Sequence, residues 1–285
     1  MHRGYADTTL GQIHYVEAGT GPPIVLLHQT ASSSVMYERA MPLLAAGYRA
    51  IAIDTPGFGM SDGPAGPEGV IEHYAEAVVG VMDHLGIEAA HIVGFHTGAT
   101  TAVELASAHA DRVRSLVIFC VLALASDEER AEWLSRDDLA TAWVPDGEGR
   151  FLETDIVDYV AHFATPDDGE TYVRELIAKL QAGPEYCWAY EGVARYDHYA
   201  SYAKLACPTL VLNAENEVLH SYTELAHAAI AHSEYQVIAG PEPEVRGWVA
   251  VVPEYPAEFA EAITGFVERV ESGEAALPQG DAGRP

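Results

Sequence analysis

Basic side chains are scarce in this chain of 285 residues: 15 Lys and Arg stand against 43 Asp and Glu, a formal net charge of −28 at pH 7. Nucleic acid and anionic membranes both need a basic face to neutralise phosphate, so neither is expected as a partner. Cysteine is scarce too. Cys120, Cys187 and Cys207 form an odd set with no C-x-x-C pair, which argues against a disulfide framework or a zinc knuckle. The 13 histidines include no H-x-x-x-H or H-E-x-x-H pair, so no metal and no other cofactor is expected. No apolar run approaches the roughly 18 residues of a membrane span, and the opening residues Met1–Asp7 have no apolar signal core. A reduced, cytoplasmic protein is the expectation.

What is present is globular. About half of the residues are hydrophobic (49%), enough for a well-buried core in one large unit or two smaller ones. Short aliphatic runs alternate with helical patterns. The runs 23–27, 48–54, 91–95, 115–121, 208–213 and 235–239 read as strands, most of them apolar enough for burial on both faces. Between them, Ile71, Tyr74, Val78, Val81, Met82 and Leu85 recur at three- and four-residue steps, one stripe of a helix over 70–85. Helices are also expected over 97–109 and 256–270. Strands separated by helices imply parallel βαβ units, and 4–17 reads as an antiparallel edge turning at Gly11. The fold class is α/β.

One stretch breaks this rhythm. From 122 to 205 there is no strand signal, and this segment holds 12 of the 26 aromatic residues. A helical, aromatic insertion between two sheet strands suits a lid over a pocket. The expected organisation is a core over 1–121 and 206–274, a lid over 122–205 and a flexible tail over 275–285.

The sharpest motif is Gly94-Phe95-His96-Thr97-Gly98, directly after a strand and directly before a helix. Glycines two before and two after a central residue are what a sharp, strained strand-to-helix turn needs, with the central side chain pushed out above the sheet. With Ile13–Gly19, Leu27–Thr30, Asp54–Asp62, Asp111–Val117 and Glu254–Phe259, it resembles the α/β-hydrolase fold family over almost the whole chain. The resemblance implies a mostly parallel sheet with helices on both faces. It also implies an oxyanion hole from the backbone N–H groups of Gln29 and Thr97.

The departures bear on chemistry. In the family the elbow residue is Ser, Cys or Asp; here it is His96. The family's general-base histidine follows the last strand, but the stretch 240–249 contains none, and Trp248 or Val249 stands at that position. The acid after the strand 208–213 aligns with Glu217, and Glu215 with a common structural glutamate. His220, three residues past Glu217, either shares the pocket or caps the next helix. An ordinary serine relay is therefore excluded. The expected catalytic residues are His96, Glu217 and His220. His28, Trp248, Trp143 and Trp188 are the expected substrate contacts, although the resemblance also implies a structural role for His28.

Imidazole is the one side chain that ordinarily titrates between pH 5 and 8, so His96 suits the role of base or nucleophile. Three readings stay open. The first is hydrolysis of a small, mainly apolar ester or lactone. The second is a cofactor-independent lyase, decarboxylase, isomerase or cyclase using His96 as base. The third is a non-catalytic ligand-binding protein on a dead hydrolase scaffold. The partner in each is a small molecule, and the sequence leaves a homodimer open.

Overall fold

The computed structural model describes residues 1–64, 66–135, 144–152, 169–240 and 251–275. The apolar runs form eight strands: β1 (His2–Thr8), β2 (Gly11–Ala18), β3 (Pro23–Leu27), β4 (Arg49–Ile53), β5 (Ala90–Phe95), β6 (Val113–Phe119), β7 (Thr209–Ala214) and β8 (Glu234–Ile238). They make one sheet in the order β1-β2-β4-β3-β5-β6-β7-β8. β1 and β2 pair antiparallel, as the Gly11 turn requires, and β2 runs antiparallel to β4. Every other pair is parallel. Strand ends fall within two residues of the sequence expectation.

Side chains alternate across the sheet, and each face is covered. Along β3, Val25 and Leu27 enter the core beneath α2 (Val70–His84) and α3 (Thr97–Ala108). Ile24 and Leu26 enter the opposite core, with Phe95, Phe119 and Phe259. That second layer includes α1 (Met41–Leu44) and α10 (Pro256–Glu271), whose apolar stripe Phe259, Ile263, Phe266 and Val267 is buried. The strand β8 is an edge and is only half-buried along most of its length.

Between β6 and β7 the described residues include four α-helices and no strand. The helices are α4 (Asp127–Leu134), α5 (Gly169–Ala182), α6 (Cys187–Arg195) and α7 (His198–Tyr202). At Gly192 the backbone of α6 lies so close to Val70 and Ile71 that a side chain there would collide with α2. Beyond β7 come α8 (His220–Ala229) and α9 (Val251–Glu254). Trp143, Trp248 and all of the expected tail except Ala275 lie outside the described residues. Among the described residues, no helix is long and apolar enough to cross a membrane.

Three adjacent parallel strands, β5, β6 and β7, are each followed by a non-glycine residue with left-handed backbone: His96 (φ 50°), Cys120 (φ 49°) and Asn216 (φ 59°). These are the only such residues among those described. Strain of this kind costs on the order of 1–3 kcal/mol per residue and gathers where function demands a geometry. It points to the carboxyl ends of the central strands, where ligands bind in α/β sheets.

Candidate active site

His96 leaves β5 with φ 50° and ψ −114°, and its carbonyl accepts the first bonds of α3 from Ala99 (2.9 Å) and Thr100 (3.2 Å). The glycine frame has a direct steric cause. A Cβ on Gly94 would overlap the Gly98 carbonyl, and one on Gly98 would overlap the carbonyl oxygens of Leu27 and His28. The start of α3 therefore packs against the loop that follows β3, which brings Thr97 beside Gln29 and Thr30. The Thr30 and Thr97 hydroxyls are hydrogen-bonded at 2.8 Å.

The His96 ring meets Glu217, with Nε2 2.8 Å from Oε1. The Glu217 side chain is fully buried and that of His96 is 15% exposed. The other carboxylate oxygen of Glu217 accepts the Leu219 backbone N–H at 2.6 Å. A carboxylate only accepts, so in the neutral imidazole Nε2 carries the proton and Nδ1 keeps a lone pair. The acid loop is stitched beneath by Asn213, whose amide donates to the His220 carbonyl (3.1 Å) and the Tyr235 hydroxyl (2.9 Å). Cys120 lies against the same carboxylate. Burial, and then the charge of Glu217, push its thiol well above its ordinary range, so it stays protonated.

The other expected residues are placed as follows. His28 is buried with both nitrogens committed: Nδ1 donates to the Gln29 carbonyl at 2.7 Å, and Nε2 accepts the Thr55 N–H at 3.1 Å. Burial lowers its pKa, against the pull of the Asp54 charge. It braces the loop and has no ring nitrogen left to offer a substrate. His220 is not brought to the dyad either. It opens α8, with Nδ1 bonded to the Ala214 carbonyl at 2.9 Å and Nε2 facing Glu224 at 3.5 Å. An adjacent main-chain acceptor and the i+4 carboxylate on its own helix hold the ring away from His96. The half-buried Trp188 on α6 has no hydrogen bond or ring contact tying it to the dyad among the described residues. The backbone N–H groups of Gln29 and Thr97 donate to no acceptor among the described residues, so both are available to an oxyanion. Nor is any group of three or more His, Cys, Asp or Glu arranged for a metal ion among them.

Sequence reasoning missed the residues that come down from the insertion. Tyr190 donates its hydroxyl to the Thr30 carbonyl at 2.9 Å. Glu175 is buried against the same loop, accepting from Ser32 Oγ at 3.1 Å and from the Gln29 side chain. No periodic signal marks Glu175. On α5 the buried stripe is Thr171, Glu175, Ala178, Lys179 and Ala182, while Val173 and Ile177 are 50% and 57% exposed.

Burial raises the Glu175 carboxyl from 4.5 to about 7, with the Ser32 and Gln29 bonds opposing. An unfolded chain therefore releases this proton first as pH rises. The stability this group contributes is intact below about pH 4.5 and is lost by about pH 7, a change of roughly 3 kcal/mol. Glu175→Gln cannot ionise. Its melting temperature is expected to gain on the wild type from pH 5 to about pH 7 and to keep a constant lead above that, as thermal melts at matched ionic strength would measure; parallel curves over pH 5–7 would contradict this.

Residues 22–242 match the family profile of the alpha/beta hydrolase fold. A haloalkane dehalogenase 2 of Mycobacterium tuberculosis is 37% identical over 112 residues, which are 39% of this chain and 39% of that protein. A 2-hydroxy-6-oxo-6-phenylhexa-2,4-dienoate hydrolase of Comamonas testosteroni is 39% identical over 112 residues, 37% of this chain and 38% of its own. The chain thus aligns with about two fifths of the length of these relatives. Among solved structures, the enol-lactonase from Burkholderia xenovorans LB400 superposes with a TM-score of 0.77 at 21% identity, covering 93% of this chain and all of that one.

Proposed function

Because the chain belongs to the α/β-hydrolase fold family, we propose that it hydrolyses a small, mainly apolar ester or lactone with His96 as general base. The observation that carries this reading is the 2.8 Å bond between His96 Nε2 and Glu217. The usual relay needs a nucleophile, an imidazole and an acid. Here the imidazole stands on the elbow itself and reaches the acid directly, so two groups replace three.

In this mechanism Nδ1 of His96 takes a proton from a water molecule as the water attacks the carbonyl carbon. The oxyanion is received by the N–H groups of Gln29 and Thr97, and Glu217 balances the imidazolium. That imidazolium returns its proton to the departing alkoxide oxygen, and the carbonyl re-forms as acid and alcohol, or as a ring-opened hydroxy acid. General-base assistance supplies about 10²–10⁴-fold and an oxyanion donor about 10²–10³-fold. Those factors suit activated esters and strained lactones rather than amides. The helical insertion acts as a lid, and its aromatic content suits a ring-bearing or apolar ligand.

The test is turnover of aryl esters and small lactones in ¹⁸O-labelled water, followed by mass spectrometry of the acid and of the intact protein. One labelled oxygen in the acid and no acylated protein are expected. Binding without turnover across the panel would overturn the reading. A product lacking the label would instead favour a single-base lyase or isomerase, a chemistry that the absence of a histidine over 240–249 also suits.

A further inference from the structure

The loop from His28 to Ser34 is buried along its whole length although it belongs to no strand. Buried irregular backbone needs its polar groups satisfied by its surroundings, and here the partners come from two directions. From the core side, Thr55 and Asp54, just past β4, hold His28 and accept the Ser34 N–H (2.7 Å), and Tyr37 in the turn after the loop bonds the Leu27 carbonyl before it (2.7 Å). From the insertion, Tyr190 of α6 bonds the Thr30 carbonyl, and Glu175 of α5 accepts from Ser32 and from the Gln29 side chain. The contacts from the insertion thus fall on Gln29, Thr30 and Ser32, whose first member carries the available N–H.

We propose that the helical insertion is part of the oxyanion apparatus, with Glu175 and Tyr190 as positioning residues that hold the Gln29–Ser32 loop where the Gln29 N–H can meet a developing negative charge. This rests on the hydrolase reading above for its catalytic consequence, but not for the clamp itself. Glu175 is suited to the task. Its buried carboxyl accepts from the Ser32 hydroxyl and from the Gln29 side chain, so one group ties two residues of the loop. The Gln29 side-chain oxygen is buried and has no hydrogen-bond partner among the described residues. Two helices gripping one loop make the loop's geometry depend on the insertion being seated.

The experiment compares Glu175→Leu, Tyr190→Phe, Glu175→Gln and Ile177→Ser, the last on the exposed face of α5. Each is assayed for kcat and KM, and by hydrogen–deuterium exchange of the peptide spanning 28–36. Loss of the clamp should lower kcat by about tenfold, a fraction of what one oxyanion donor supplies, with KM within about threefold. Exchange over 28–36 should quicken in Glu175→Leu and Tyr190→Phe, and Ile177→Ser should alter neither quantity. Glu175→Gln keeps an acceptor for Ser32, and once the Gln29 amide turns over its NH₂ can donate to the Gln29 side-chain oxygen, which is otherwise unpartnered, so it should recover most of the kcat and the slow exchange. If Glu175→Leu does not fold, Ser32→Ala replaces it, with the same direction and a smaller size. Unchanged exchange in both clamp variants overturns the proposal. So does a rise in KM at constant kcat, which would make Glu175 a wall of the pocket. A wild type that turns over nothing would sink the hydrolase reading alone, leaving the exchange results to decide the clamp.

Discussion

Replacing His96 by alanine is expected to lower kcat by about 10²–10⁴-fold, the range that a positioned general base contributes, while ligand binding changes by less than about threefold. In the proposed mechanism the base is one imidazole nitrogen, and no second imidazole meets the dyad among the described residues: His28 has spent both nitrogens on Gln29 and Thr55, and His220 is turned to Ala214 and Glu224. Alanine also meets the same strained backbone as histidine, so the comparison is not confounded by relief at the turn. His96→Ser sharpens the point. It restores the residue type the fold family uses at the elbow, yet serine needs an imidazole beside it, and the stretch 240–249 supplies none. Both variants should therefore be inactive. Steady-state kinetics with an aryl ester, and calorimetric binding of a product analogue, separate the outcomes. An alanine variant retaining more than about a tenth of wild-type kcat would remove His96 from the role of base.

Much of this arrangement was legible from the chain. The strands stood out because parallel strands buried on both faces must be continuous apolar runs. The elbow stood out because only glycine tolerates the approach of Gly94 to Gly98 and of Gly98 to Leu27. The elbow position of His96 followed from the glycine frame, and Glu217 from the place the family resemblance implies for its acid. What the sequence did not disclose depends on tertiary packing. The apolar Val173 and Ile177 suggest the inward face of α5, yet they are exposed, and Glu175 and Lys179 are buried instead. A charged pair on a buried stripe is legible only once the polar loop beneath it is known. The ring of His220 is likewise decided by a neighbouring carbonyl, not by its position in the chain.

The left-handed residues after β5, β6 and β7 join these observations. His96 carries the imidazole, Cys120 lies against the Glu217 carboxylate, and Asn216 turns the loop that delivers Glu217. Three unfavourable backbone conformations on three neighbouring strands converge on one carboxylate–imidazole contact. Strained backbone gathers where a geometry is held for function, and two of these three positions, His96 and Cys120, carry titratable side chains.

Glu217→Gln carries the second large effect, because an amide cannot do what the carboxylate does here. Glu217 accepts two N–H groups, from His96 Nε2 at one oxygen and from Leu219 at the other. A glutamine offers one oxygen and one NH₂. With its oxygen toward His96, the NH₂ opposes the Leu219 N–H, and a buried donor loses its acceptor at a cost of about 1–3 kcal/mol. With the amide reversed, the Leu219 bond survives, but the NH₂ now donates to His96 Nε2. The ring proton must then move to Nδ1, the nitrogen that should accept from water. The second arrangement avoids the buried mismatch, so the variant is expected to fold with only a modest loss of stability and to lose about 10²–10⁴-fold in kcat. The tautomer can be read directly from ¹⁵N shifts of the His96 ring, which should exchange their protonated and unprotonated signatures between wild type and variant. A Glu217→Gln protein with wild-type kcat, or with Nε2 still protonated, would break the link between the acid and the base on which the two-group mechanism depends.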